Sequence, residues 1–506
     1  MRHEREGGYM TGRMLLFATA LAGLAVAGAH AASILPPPPA ELDAAVKAYV
    51  RVPAGRIALS HVRLIDGTGA AAQDDRTILL NGARIEAVLP GNATIPKGVT
   101  VLDLNGETVL PGLVGMHDHM YYIGRPDLDA QGHSEPPVVV PQMPFTSPRL
   151  YLAAGVTTLR TTGSVEPYTD LNLKKQIDAG QLPGPHLDVT GPYLEGPGSP
   201  FIQMHQLADA EDARRTVDYW ADQGATSFKA YMNITRAELG AAIDEAHKRG
   251  FKITGHLCAV TYPEAAALGI DDLEHGFFVN TQNDPGKQPD TCPATTGTPT
   301  LAAMTPDSPD AKALIATLVT HHVAVTSTLP VFEQQVPGHA PLWPQAMATL
   351  TPEAREAYLY LRDRRSNAQR DLASTSAAVT AFHNDLGLER AFVAAGGLLL
   401  AGPDPTGNGG VIPGFGDQRE IELLVEAGFT PEQAVRIATL NGAIYLGLQD
   451  RIGTVAAGKN ADLLIVRGDP AHQITDIENA DIVFKDGVGY DTARLLASVR
   501  GRYGEY

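Results

Sequence analysis

Cysteine is nearly absent from the sequence: only Cys258 and Cys292 occur among 506 residues. Two thiols build neither a thiolate zinc site nor a disulfide framework, so any metal must be held by histidine and carboxylate. Basic charge is scarce as well. Lys and Arg number 39 against 57 Asp and Glu, a net charge of −18, and no Lys/Arg-rich run occurs. This argues against a nucleic-acid partner held through phosphate neutralisation. A long membrane-spanning run is also missing. The apolar run from Met14 to Gly28 is about 15 residues, short of the roughly 20 that a spanning helix needs. It follows Arg2, Arg5 and Arg13 and precedes Ala29-His30-Ala31, the pattern of a secretory signal peptide over 1–31 with small residues at the cleavage point. A retained anchor is the alternative reading, and Met10 competes with Met1 as the start. No cysteine follows the cleavage point, which speaks against a lipoprotein. Removing the segment takes away three Arg and two Glu and leaves the mature chain at −19. A secreted or periplasmic protein, free of the membrane once the signal is removed, is expected.

What is present is a chain large enough to bury a substantial core, with 44% apolar residues, and rich in turns, with Gly 51 and Pro 37. A linker over 32–54 contains Pro36 to Pro39. Residues 55–110 alternate apolar and polar positions between Gly, Asn and Asp turns, the period of strands. The style returns over 448–490, so the two stretches are expected to complete one small β-sandwich, with a C-terminal tail over 491–506. Between them, over 111–447, eight strand candidates alternate with helical patterns: 110–119, 155–162, 186–191, 225–232, 251–257, 270–275, 323–328 and 397–404. This predicts an α/β fold, a (β/α)8 barrel, with two long polar loops at 277–309 and 330–370.

Active sites of such barrels lie at the C-terminal strand ends. Five of those ends carry metal-ligand residue types. The first strand ends in Met116-His117-Asp118-His119, and alternation sends both histidines into the barrel mouth and Asp118 away. The others supply Lys229, His256, His275 and Asp404, at separations of 110, 27, 19 and 129 residues.

At these residues the sequence resembles the amidohydrolase superfamily, in its imidazolonepropionase-like and prolidase-like branch. The resemblance runs over nearly the whole mature chain, through Pro-Gly-Leu-Val-Gly-Met-His117-Asp-His119, Ala154-Gly-Val-Thr-Thr, Leu273-Glu-His275-Gly, Ala427-Gly-Phe-Thr-Pro-Glu-Gln-Ala434, Ala438-Thr-Leu-Asn-Gly-Ala443 and Gly453-Thr-Val-Ala-Ala-Gly-Lys-Asn-Ala-Asp462-Leu. It implies a binuclear site in which His117 and His119 bind the first metal, His256 and His275 the second, a CO2-derived carbamate on Lys229 bridges them, and Asp404 ligates the first. Charge agrees with the carbamate, because a lysine cation beside two divalent ions would be repelled. Zn²⁺ suits the donor set, with Mn²⁺, Co²⁺ and Fe²⁺ as alternatives.

The implied reaction is hydrolysis of an amide or peptide bond, in a dipeptide or N-acyl amino acid. Metal coordination lowers the pKa of water from 15.7 toward about 7. Asp404 is the expected proton acceptor and Tyr231, on the same strand face as Lys229, the expected donor to the oxyanion. A rim-capping role is the plain reading of Tyr231. Arg160 is a candidate for a substrate carboxylate, with a structural ion pair as its plain reading. The family commonly shows Arg-Asp-x-Gly there, whereas this chain has Arg160-Thr-Thr-Gly163. His133 and His205 lie on mouth loops and are candidate substrate contacts; Glu274 is expected to face away, into packing. Cys258 and Cys292 both fall on the mouth, where an oxidising compartment would permit a disulfide. Cyclic-amide opening or deamination are the alternatives within the family, although mononuclear deaminases generally lack the lysine; a metal-depleted scaffold barrel is the alternative outside it. The partner expected is a small molecule, with a homo-oligomer left open.

Overall fold

The computed structural model describes residues 33–122, 139–199, 201–370, 376–406 and 410–504. The signal segment and His133 lie outside them. Eight parallel strands form the barrel sheet: β7 Leu113–Asp118, β8 Val156–Thr161, β9 His186–Leu194, β10 Ser227–Ala230, β11 Lys252–Gly255, β12 Asp272–Glu274, β13 Ala324–Ser327 and β14 Leu399–Ala401. Each falls within or overlaps one strand candidate from the sequence. They pair in chain order from β7 to β14, and the ends meet where the Asp404 amide donates to the His117 carbonyl at 3.1 Å. Gly402 makes this approach possible, since a Cβ there would lie 2.1 Å from the His117 nitrogen.

The second unit is one nine-stranded mixed sheet built from both chain ends. The strands β1 Val50–Val52, β2 Arg56–Leu64, β3 Gln73–Asn81, β4 Arg84–Pro90, β5 Thr100–Asp103 and β6 Glu107–Pro111 come from the first. The strands β15 Leu463–Arg467, β16 Ala480–Lys485 and β17 Val488–Asp491 come from the second. The lower part of β2 pairs with β5 and its upper end with β6. Alternate residues such as Ile57, Leu59, Ile78, Leu80, Leu463, Ile465 and Phe484 meet in a core of their own, as the period-2 pattern requires.

Three segments do more than the sequence suggests. The linker over 32–54 supplies β1, which pairs with β17, and buries Ile34 and Leu35 in a cluster with Val114, Met116 and Leu400 under the barrel floor. The C-terminal tail forms a helix, Thr492–Val499, and buries Tyr503, whose ring lies 4.9 Å from that of Tyr122. The polar stretch 330–370 is largely helical, with Pro344–Thr349 and Pro352–Arg370. The second of these opens on proline, whose missing N–H costs nothing at the first helical position, and has Glu353 in its first turn. Among the described residues no helix is long and apolar enough to cross a membrane.

Candidate metal centre

The C-terminal strand ends bring the six ligand candidates together. Ring centroids of His117 and His119 are 5.2 Å apart, those of His117 and His275 4.6 Å, and those of His256 and His275 4.4 Å. Lys229 Nζ donates to His117 Nε2 at 3.1 Å and to the Thr162 carbonyl at 3.2 Å. Asp404 Oδ1 lies 3.1 Å from His119 Nε2 and 3.6 Å from His117 Nε2. Two of the ligand candidates hold left-handed backbone, His275 at φ 70 and Asp404 at φ 51. Such strain outside glycine is concentrated at functional sites.

For His117 and His275 ring orientation follows from the partners of the far nitrogens, and for His119 the backbone is held instead. His117 Nδ1 donates to Glu274 Oε2 at 2.7 Å, which leaves the Nε2 lone pair facing the cluster. His275 Nδ1 pairs with Thr328 Oγ1 at 2.9 Å, and its buried Nε2 has no hydrogen-bond partner. Tyr151 accepts from the His119 amide at 3.0 Å and donates to its carbonyl at 2.8 Å. Burial lowers the pKa of His117, His119, His256 and His275, that of His256 to about 3, with Lys229 adding to the effect, so all four remain neutral ligands. Burial also brings Lys229 down to about 8, within reach of the free amine that CO2 requires. For Asp404 burial works upward, but polar contact with the nitrogens around it, Lys229 among them, outweighs burial and lowers its pKa.

These residues fit divalent cations. His117, His119 and Asp404 place one ligand atom each within 4.8 Å of one another. His275 Nε2 and Asp404 Oδ1 are buried acceptors without a hydrogen bond, a costly state that a cation relieves.

Other expectations fare differently. Tyr231 stands beside the cluster, its ring 4.9 Å from that of His256 and 4.7 Å from that of Tyr193. Cys258 and Cys292 form a disulfide, with Cα atoms 4.8 Å apart. Arg160 does not reach the mouth as a substrate contact. It is 1% exposed and lies in the barrel interior, donating to the Met116 carbonyl at 2.6 Å, Asp272 at 2.7 Å and Glu274 at 2.8 Å. Its charge is spent on two buried carboxylates. His205 sits on the surface, 2.8 Å from Asp212, with half its side chain exposed. Glu274 does not face away: with Arg160 and Thr254 it forms the buried support of His117. Tyr121 was also missed. Its ring stacks on His119 with centroids 4.4 Å apart, and its hydroxyl meets that of Tyr193. Its place two residues beyond His119 was the available signal.

Known proteins share this family and fold. The family model "Amidohydrolase family" matches residues 108–488. A solved Xaa-Pro dipeptidase with bound methionine superposes with a TM-score of 0.64 at 20% identity, covering 86% of this chain and 100% of that one. A putative prolidase from Bifidobacterium longum gives 0.61 at 24% identity, covering 88% and 99%. The A. niger ochratoxinase gives 0.60 at 17% identity, covering 87% and 96%. Adenine deaminase 1 of Latilactobacillus sakei subsp. sakei (strain 23K) is 37% identical over 54 residues, 11% of this chain and 9% of that protein. At these identities the solved structures speak for the fold. With the family model spanning most of the chain and the histidine, lysine and aspartate side chains gathered at the barrel mouth, the protein belongs to the amidohydrolase family of metal-dependent hydrolases acting on carbon–nitrogen bonds.

Proposed function

We propose that the chain is a binuclear amidohydrolase that cleaves the amide or peptide bond of a dipeptide or N-acyl amino acid. The observation that carries this is the convergence of four neutral imidazoles, one lysine and one ionised aspartate from five strands on one buried point. His117, His119 and Asp404 would hold one cation and His256 and His275 the other, with Lys229 between them after its free amine adds CO2 and releases a proton. When bound, the cations supply Lewis acidity and make a water acidic enough to serve as nucleophile near neutral pH. Zn²⁺ is the expected ion.

The protein's own residues do the rest. Asp404, held as a carboxylate at the mouth, accepts the proton of the attacking water and returns it to the departing nitrogen. Tyr231, whose hydroxyl burial keeps protonated, donates to the developing oxyanion. Glu274 fixes the tautomer and angle of His117. The Cys258–Cys292 disulfide pins the loop after β12 to the end of β11, at the mouth. It supports reading residues 1–31 as an export signal and the mature enzyme as secreted or periplasmic.

The test is a screen of dipeptides and N-acyl amino acids against protein grown with Zn²⁺, with metal counted in parallel. About two ions per mouth and hydrolysis abolished by chelation are expected. A metal-loaded protein that releases no amine from any member, but deaminates nucleobases or opens cyclic amides, would overturn the reading.

A further inference from the structure

The opposite end of the barrel holds a second cluster that catalysis does not use. His186 begins β9 at the barrel floor, Asp462 immediately precedes β15, and Asp486 lies in the turn between β16 and β17. The three are 2%, 5% and 7% exposed, and one ligand atom of each lies within 4.8 Å of the others. His186 Nε2 is 3.1 Å from Asp486 Oδ2. Even so, neither ring nitrogen makes a hydrogen bond, and neither does Asp462 Oδ2. The mouth shows the same signature, where Asp404 Oδ1 is 3.1 Å from His119 Nε2 and makes no hydrogen bond. In both places a nitrogen and carboxylate oxygens lie close in an arrangement that leaves buried lone pairs unused, as ligands do around a shared cation.

Charge points the same way. Two buried carboxylates stand together here, with Lys485, whose Nζ donates to Asp486 Oδ2 at 3.4 Å, as the nearest cation and Arg451 acting on both. Two buried carboxylates brought this close are costly unless positive charge is shared between them. Asp462 Oδ1 is occupied by the Asp486 amide at 2.7 Å, so Oδ2 is the oxygen that remains available. Asp486 also lines a cavity of about 150 Å³, together with Lys485, Tyr490 and Leu182.

We propose that His186, Asp462 and Asp486 form a structural divalent-cation site that clamps the barrel floor to the nine-stranded sheet. One imidazole and two carboxylates suit Zn²⁺ or Mn²⁺. Each ligand comes from a different segment, so the ion would stabilise the junction without touching the chemistry.

The experiment saturates the full chain with Zn²⁺, removes excess by gel filtration and counts metal by mass spectrometry. A His186→Gln variant is expected to carry one equivalent fewer than the unaltered chain. It should keep its hydrolysis rate and show a lower Tm, a difference that chelation of both proteins erases. Equal counts in the two would overturn the site. The reading is a difference, so it is independent of how many ions the mouth holds and of what the mouth catalyses. Should His186→Gln fail to fold, zinc-soaked crystals of the unaltered chain decide: anomalous density between the three side chains supports the site, and its absence refutes it.

Discussion

At the barrel mouth, six ligand-type side chains arrive from five strand ends with gaps of up to 129 residues between successive ones; at the floor, three arrive from one strand start and two positions in the sheet unit. The mouth needs positive φ at His275 and Asp404 and a glycine at 402 to be assembled at all. The floor cluster includes one residue in that region, Asp486 at φ 52, in a turn where it is readily accommodated. The difference is one of purpose. A reacting centre must present several groups to one small volume and stores strain to do so, whereas a brace only has to join surfaces that already meet.

Substitutions can break or sharpen this contrast. Asp404→Asn should reduce kcat/KM by about 10⁴-fold, the upper end for a lost proton acceptor, with little change in Tm. Steady-state kinetics alongside thermal melting would reveal it, and a loss of fold instead would erase the distinction between mouth and floor. Tyr231→Phe should cost roughly 10²-fold to 10³-fold in kcat with KM nearly unchanged. Unchanged turnover would leave this tyrosine a rim residue. Opening the disulfide with Cys292→Ser should lower stability by roughly 2–4 kcal/mol in a denaturant titration, since a cross-link of this kind constrains the unfolded chain. Glu274→Gln keeps the shape but weakens the hold on His117, so metal affinity or activity should fall about 10-fold to 100-fold.

The smallest effect concerns pH. Behind His275, burial raises Asp385 to about 7 and Glu420 to about 8, and pushes Glu389 upward too. The folded state therefore holds protons that the unfolded chain releases above its ordinary carboxylate range. Stability from these groups is fully present in acid and is lost as pH climbs toward about 8. Melting temperatures should decline from about pH 5 to pH 8, and Glu420→Gln should flatten that decline.

Most of the barrel was readable from residue order, because buried parallel strands are short apolar runs with fixed neighbours. The six mouth residues were readable because each ends such a run. What failed has one physical cause at Glu274. Alternation assumes that extended backbone continues, but β12 is three residues long and His275 leaves it in left-handed conformation, so both side chains turn inward. For Arg160 the plain reading, a structural ion pair, holds and the substrate role does not: sequence places it near a strand end but does not tell which interior layer it fills. Its partners Asp272 and Glu274 lie more than a hundred positions away.

Ile34 and Leu35 sit beneath β7 and β14, the strands whose ends carry His117 and Asp404. A recombinant form begun after Leu35 would leave a hole where these two side chains belong, so the choice of first residue for expression bears on how firmly the reacting end is seated. Fusion partners are better attached upstream through a spacer than spliced directly onto this apolar plug.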